Sequence, residues 1–419
     1  MMMQGKQGGK IMNVEEIKRS NKHNWKLKVG ILGISLFLQV AGSNLAAIPL
    51  IAKSFPHQSL TSVQALFTLP SFTIMLFILF SNAVIKWVGK RNTVIIGMIA
   101  TIIGGLIPFF INNFAIIVAS RLLVGAGIGL FTSLAVSLIG DCFSGEEQKT
   151  LIGIQGAMGT LGNSSMTFVA GLLLGIKWQA TFLYFLVIVP FLILFMMGYT
   201  SKMEKETTVE KVAQKEKNQT SKRAKIPVSI YVAFVMLFLY FSAFMVEATA
   251  SALVIQQNHL ANQGMLSTEI AIAGLIGAVI SMAYAHIFKV LKNFTPVVAV
   301  AFGAIGFIVC SQASNMTIFF IGLLLMMISG LIIPYVYDTI LSEVDSSISN
   351  LIISIAQICN NLGAFASPYV IALLSGMTGL STAVDQMRIS AGILGIIAIV
   401  FVIIAVSRSG KKASAKVAK

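Results

Sequence analysis

The chain has 419 residues, of which 56% are hydrophobic and only 11% charged, with a formal net charge of +15. That balance excludes an ordinary soluble globular protein and points to a polytopic helical membrane protein. The positive charge gathers between the apolar runs, which is a topological pattern and not a nucleic-acid footprint.

A hydrocarbon core about 30 Å thick needs roughly 20 apolar residues per helix. On that ruler the sequence predicts spans at 30–52, 62–86, 93–112, 115–139, 150–175 and 179–199, then at 227–254, 268–288, 294–312, 315–336, 350–375 and 388–407. The fold class is therefore all-α and membrane-embedded, with twelve transmembrane helices. An arm over 1–29 precedes a six-helix bundle over 30–200. A linker over 201–226 leads to a second six-helix bundle over 227–407 and a basic tail over 408–419. The first apolar run is too long for a signal-peptide core and has no convincing cleavage site, so it reads as retained. The linker holds eight basic and four acidic residues without an apolar period, with some helical tendency near Glu204–Lys217.

With an even number of spans both termini share one side. That side receives 26 of the 30 basic residues, while the other receives Lys53, Lys177 and Arg388. The bias places both termini in the cytoplasm. Trp25, Trp87 and Trp178 fall at span edges, as interfacial tryptophans do. Sliding the chain against itself by 201 residues aligns Leu161-Gly162 with Leu362-Gly363, Leu172-Leu173 with Leu373-Leu374, Gly175 with Gly376, Gly129 with Gly330 and Arg91 with Lys292. The two bundles read as a duplication.

Polar residues inside spans are the functional candidates. Arg121 lies in span four within Arg121-Leu-Leu-Val-Gly125-Ala-Gly127-Ile-Gly129. An intramembrane arginine faces a wet cavity or a partner, so Arg121 is expected to line a polar pathway, with carbonyl-bonded structural use as the alternative. Gly125, Gly127 and Gly129 admit close helix approach. Glu247, in span seven, reads as the one carboxylate clearly within an apolar span, able there to take up and release protons, or to hydrate an outer vestibule. Stripes at helical spacing point to a lined cavity or to interhelical glue: Ser35, Gln39 and Ser43 with Asn44 on span one; Gln64, Thr68 and Ser71 on span two; Ser354, Gln357 and Asn361 with Asn360 on span eleven. Gln39, Asn44, Gln357 and Asn361 are assigned to the cavity. Gly153, Gly156, Gly159 and Gly162 form a spiral packing ridge on span five, since steps of three drift around a 3.6-residue helix. Cys142, Cys310 and Cys359 form no CxxC pair, and the four histidines are scattered. No metal, cofactor or enzymatic constellation is expected.

Two stretches of the sequence resemble signatures of the major facilitator superfamily of secondary transporters. Asn82-Ala-Val-Ile-Lys86-Trp87-Val-Gly89-Lys90-Arg91 is similar to G-x-x-x-D-R-x-G-R-R, matching at Gly89, Lys90 and Arg91, with Lys86 at the acidic position. Arg121, Gly125, Gly127 and Gly129 match R-x-x-x-G-x-G-x-G. The span-four exit Gly140-Asp141-Cys-Phe-Ser-Gly-Glu146-Glu147 and the span-six entry Trp178-Gln-Ala-Thr-Phe182 are also similar to the family. The likeness covers nearly the whole chain and is nearest in character to bacterial drug/proton antiporters. It implies two six-helix halves around a central cavity that opens alternately to each side. The activity it implies is proton-coupled efflux of amphipathic compounds across the cytoplasmic membrane of a bacterium. Uptake or exchange of a small organic anion, drawn by Arg121, is the alternative within transport, and a non-cycling sensor or scaffold is the alternative outside it. The expected partners are a small-molecule substrate, a proton or other coupling ion and the bilayer, with no nucleic acid and a monomeric chain. Lys86, Gly89, Lys90, Arg91 and Asp141 form the expected cytoplasmic gate, with Asp141 pairing with Lys86 or Arg91.

Overall fold

The computed structural model describes residues 24–143, 145–200, 226–260, 263–344 and 346–417, and these contain helices and turns but no strand. α1 (Trp25–Leu36) passes through 3-10 turns at Val40–Gly42 and Leu45–Ala47 into α2 (Ile48–Ser54). α3 (Leu60–Phe110), α4 (Phe114–Cys142) and α5 (Gly145–Leu174) follow, and a 3-10 segment, Trp178–Val187, runs into α6 (Ile188–Gly198). The second half holds α7 (Val228–Gln257), α8 (Gln263–Met282), α9 (Tyr284–Leu291), α10 (Thr295–Ser311), α11 (Met316–Ile328), α12 (Ile332–Glu343), α13 (Ser346–Thr378) and α14 (Ala383–Val417). Residues 1–23 of the arm and 201–225 of the linker lie outside the described residues. The helix of the last span continues to Val417, past the expected end at 407.

Among the described residues ten helices are long and apolar enough to cross a membrane, and the bent pair Trp25–Leu36 with Val40–Ser54 makes an eleventh. α3 supplies one more. Its 51 residues would extend about 76 Å at 1.5 Å per residue, more than twice the hydrocarbon core. The helix is interrupted at Gly89, whose φ of 82° and ψ of 168° belong to no helix and suit glycine. Packing against α4 shows that the chain reverses there. Gly125 meets Pro70 and Gly129 meets Ile74, so the first segment runs parallel to α4; Gly127 meets Gly97 while Ser120 meets Gly104, so the second runs antiparallel. α3 therefore carries spans two and three, and twelve spans result, as expected. α1–α2 form span one, α4 span four, α5 span five, the 3-10 segment with α6 span six, and α7 span seven. α8–α9 form span eight, α10 span nine, α11–α12 span ten, α13 span eleven and α14 span twelve.

Local chemistry sets the ends. Asn24, Ser59, Asn113 and Asn315 each accept a backbone N–H from the first turn that follows, capping α1, α3, α4 and α11. Trp25 and Trp87 are exposed at span ends, whereas Trp178 is buried and its Nε1 donates to Ser54 Oγ at 2.9 Å, joining the start of span six to the end of span one.

The duplication is visible in the packing. A Cβ on Gly162 would strike the Leu36 carbonyl of span one, and a Cβ on Gly363 would strike the Phe238 carbonyl of span seven. Span five crosses span one as span eleven crosses span seven, through glycines that the 201-residue shift superposes. Spans three and four meet at Gly97 and Gly127, and spans nine and ten meet likewise at Gly306 and Gly322. Of the expected span-five ridge, Gly162 packs on backbone and Gly159 on the Gln39 side chain, while Gly156 faces open space. The drift of a three-residue step explains the difference, because it carries Gly156 off the contact face. Gly153 lies on α5 as expected. We expect Gly162→Ala to lower the thermal midpoint of the detergent-purified protein, since overpacking costs about 1–3 kcal/mol. Gly156→Ala should leave that midpoint unchanged or raise it slightly, through helix propensity.

Candidate functional site

Span four threads between spans two and three because its alternating glycines point to opposite sides. Gly125 and Gly129 admit span two and Gly127 admits span three. One turn before Gly125, Arg121 is buried, at 1% exposure. Its Nη2 donates to the Gly104 carbonyl of span three at 3.1 Å, and its guanidinium lies over the rings of Phe182 at 4.7 Å and Phe185 at 5.5 Å on span six. All these contacts belong to the first half. The structure therefore places Arg121 inside that bundle, in a carbonyl-and-aromatic box, and not on a surface facing the second half. Desolvated cation–π contacts of this kind are worth about 2 kcal/mol. Nε and Nη1 have no hydrogen-bond partner among the described residues.

Span one departs most from its expected geometry. The helix stops at Leu36 and resumes at Ile48, with Pro49 in the first turn of the new segment. Regular 3.6-residue spacing fails across this break, and the expected stripe comes apart. Ser35 is buried within the bundle, and Ser43 Oγ donates to Asn163 Oδ1 of span five at 3.0 Å. Asn44, assigned to the cavity, is buried and donates through Nδ2 to Thr181 Oγ1 of span six at 3.1 Å, so it joins two spans of one half. Gln39 is exposed at the break, beside Gly159. On span eleven, Gln357 and Asn361 are half-buried, and Asn361 Nδ2 donates to the Gln357 carbonyl at 2.9 Å. Asn360 Nδ2 donates to the Tyr337 hydroxyl of span ten at 3.2 Å.

The stripe on span two meets the other half. Gln64 Nε2 donates to the Thr249 carbonyl of span seven at 3.2 Å and to Gln386 Oε1 of span twelve at 3.0 Å. Thr68 Oγ1 lies 3.4 Å from the Phe365 carbonyl of span eleven, and the Phe72 and Phe365 rings stand 4.9 Å apart. These cross-half contacts run from the middle of the bundle to the side opposite the termini.

Glu247 is 6% exposed in span seven, and its Oε1 has no hydrogen-bond partner among the described residues. It lies within electrostatic reach of Tyr240, whose hydroxyl bonds Ser329 of span ten at 2.9 Å, and of the Cys310 thiol on span nine. Glu247 is not alone. Glu269, near the start of span eight, also reaches the Cys310 thiol electrostatically and has a buried Oε2 without a partner among the described residues. Hydropathy alone hid Glu269, because it sits close to the polar boundary of its span. Among the described residues no histidine, cysteine and carboxylate cluster could hold a metal ion.

On the terminal side Asp141 pairs with Lys90, whose Nζ also donates to Ser137 Oγ at 3.2 Å. The expected partners are placed elsewhere: Lys86 is exposed, and Arg91 donates to the Tyr199 and Met196 carbonyls at the end of span six, at 2.9 and 3.4 Å. The turn at Gly89 decides which basic side chain reaches span four. A second ion pair, Lys28 with Glu147, joins spans one and five on the same side.

The sequence profile of the Major Facilitator Superfamily matches residues 30–368. The chain belongs to that superfamily. It is a multi-pass secondary transporter and not an enzyme. The riboflavin transporter RibZ of Clostridioides difficile (strain 630) is 23% identical over 165 residues, which cover 39% of this chain and 36% of that relative. The chain thus matches about a third of RibZ's length. The crystal structure of the human organic anion transporter MFSD10 superposes with a TM-score of 0.61 at 17% identity, covering 90% of this chain and 99% of the other. That of a D-xylose–proton symporter gives 0.68 at 15% identity, covering 91% and 97%. At such identities the structures share the superfamily fold alone.

Within this superfamily member the Lys90–Asp141 pair is testable by stability. The Asp141 side chain is 1% exposed, and stranding a buried charge costs more than removing both partners. We expect Lys90→Met to lower the thermal midpoint further than the double variant Lys90→Met/Asp141→Asn does. Equal midpoints would show that the pair contributes little.

Proposed function

We propose that this transporter exports small amphipathic organic solutes from the cytoplasm against proton entry, and that Glu247 carries the proton. The observation behind this reading is the buried carboxylate of Glu247, with one oxygen unpartnered among the described residues, on a span that faces the other half through Thr249. An unpaired charge at such a place is costly. The carboxylate is therefore stable there when a proton neutralises it, and its gain and loss of that proton can be tied to which side is open. Rocking of the halves over 30–200 and 227–407 supplies the alternation, with both termini in the cytoplasm as the distribution of basic residues supports.

The enclosure of Arg121 favours neutral or cationic solutes over anions, because that guanidinium is committed to Gly104, Phe182 and Phe185. Gln39, Gln357 and Asn361 are the polar side chains we assign to the solute pathway. Lys90, Asp141, Gly89 and Arg91 set the geometry of the terminal-side gate.

The test is efflux from sealed vesicles carrying an imposed pH gradient, over a panel of amphipathic cations and neutral aromatics that includes riboflavin. An uncoupler should abolish efflux, and Glu247→Gln should lower proton-driven efflux at least tenfold while ligand-induced thermal stabilisation persists. Efflux by Glu247→Gln at the parent rate would overturn the assignment of that residue. Flux that ignores the uncoupler would overturn proton coupling.

A further inference from the structure

We propose that Gln64 is the latch that holds the transporter shut on the side opposite its termini, by clasping spans seven and twelve from span two. Such a latch needs neither a solute nor a coupling ion.

Gln64 lies in the second turn of span two, capped by Ser59, and is buried. Its amide has two hydrogens, and both are used across the boundary between the halves: one on the Thr249 carbonyl and one on Gln386 Oε1. A backbone carbonyl only accepts, so Gln64 must present its NH2 group there, and Gln386 must answer with its oxygen. The orientation of both amides is thus fixed by a single carbonyl.

The acceptors are held just as firmly. Gln386 sits in the first turn of span twelve, where Thr382 and Asp385 cap each other reciprocally: the Thr382 backbone N–H donates to Asp385 Oδ2 at 3.2 Å and the Asp385 N–H to Thr382 Oγ1 at 3.2 Å. Thr249 lies two residues after Glu247 on the same helix, so the clasp sits within one turn of that carboxylate.

Below Gln64 on the same helical face, Thr68 and Phe72 meet Phe365 of span eleven. The contact is therefore a graded seam, polar near the far surface and aromatic toward the middle. Its polar rung is uncharged. When the halves part on this side, water can replace both hydrogen bonds to the amide, so the latch sets a register without trapping the closed state.

The experiment reads accessibility, not transport. In a background with Cys142, Cys310 and Cys359 changed to serine, Ala252→Cys places a thiol at a buried position on span seven, three residues after Thr249. A membrane-impermeant maleimide is applied to the face opposite the termini in sealed vesicles. We expect the labelling rate to rise about 5- to 30-fold in Gln64→Ala, the equilibrium shift that one or two lost hydrogen bonds produce. Gln386→Ala should give a smaller rise, and Gln64→Ala/Gln386→Ala should label no faster than Gln64→Ala alone, since the two share one bond. Monodisperse elution establishes that each variant is folded, and Gln386→Ala carries the test if Gln64→Ala does not fold. Labelling within twofold of the parent in both single variants would overturn the proposal, as would simple multiplication of their effects in the double variant.

Discussion

In hydrocarbon a helix gains little by turning apolar surface toward its neighbour, because the lipid is as apolar as the neighbour is. Association rests instead on close packing and on polar contacts that lipid cannot supply. The fold satisfies this constraint at a few places where one helix loses its side chain so that another backbone can enter. Gly97 meets Gly127, Gly162 meets Leu36, Gly306 meets Gly322 and Gly363 meets Phe238. Each half has two of these crossings, between corresponding spans. The remaining features hang on this frame: Arg121 is boxed because Gly104 lets span four come close to span three, and Gln64 points at the second half because Gly125 and Gly129 hold the opposite face of span two.

Much of this was legible in the sequence, for a physical reason. A span must be apolar over some 20 residues, and that demand is written into composition regardless of tertiary detail. The span positions, including the break between spans two and three, could be read that way, and the self-alignment paired the glycines. Side-chain direction could not. Asn44 was aimed wrongly because span one abandons helical spacing between Leu36 and Ile48, so counting by 3.6 loses phase. Lys90, and not Lys86 or Arg91, reaches Asp141 because a single left-handed glycine sets the twist of the turn. Arg121 fitted either of two environments by sequence, and only the positions of Phe182 and Phe185 decide between them. Glu269 was missed since a carboxylate near a span boundary scarcely changes the hydropathy of the run.

The polar groups in the bundle divide by charge and by what they join. Ion pairs stay inside one half: Lys90 with Asp141 and Lys28 with Glu147 near the terminal side, and Arg388 with Asp385 within one turn of span twelve near the far side. Contacts across the halves on the far side are made by amides, hydroxyls, carbonyls and rings. This division suits a molecule whose halves must separate and meet again. Breaking a buried ion pair exposes the full cost of two charges, whereas parting neutral hydrogen bonds exchanges them for water. Glu247 and Glu269 stand outside both groups, each with a carboxylate oxygen that has no partner among the described residues.

The three tryptophans give the molecule an optical asymmetry. Trp25 and Trp87 stand exposed at span ends, while Trp178 is buried with its indole nitrogen on Ser54 and its ring edge-on to Phe55 and Phe182. Its emission is thus shielded from aqueous quenchers in a way that of the other two is not. Phe182 also lies beneath the guanidinium of Arg121, so this shielded fluorophore touches the same aromatic wall that encloses the buried charge. Any displacement of span six relative to span one would register as a change in the colour and lifetime of one indole.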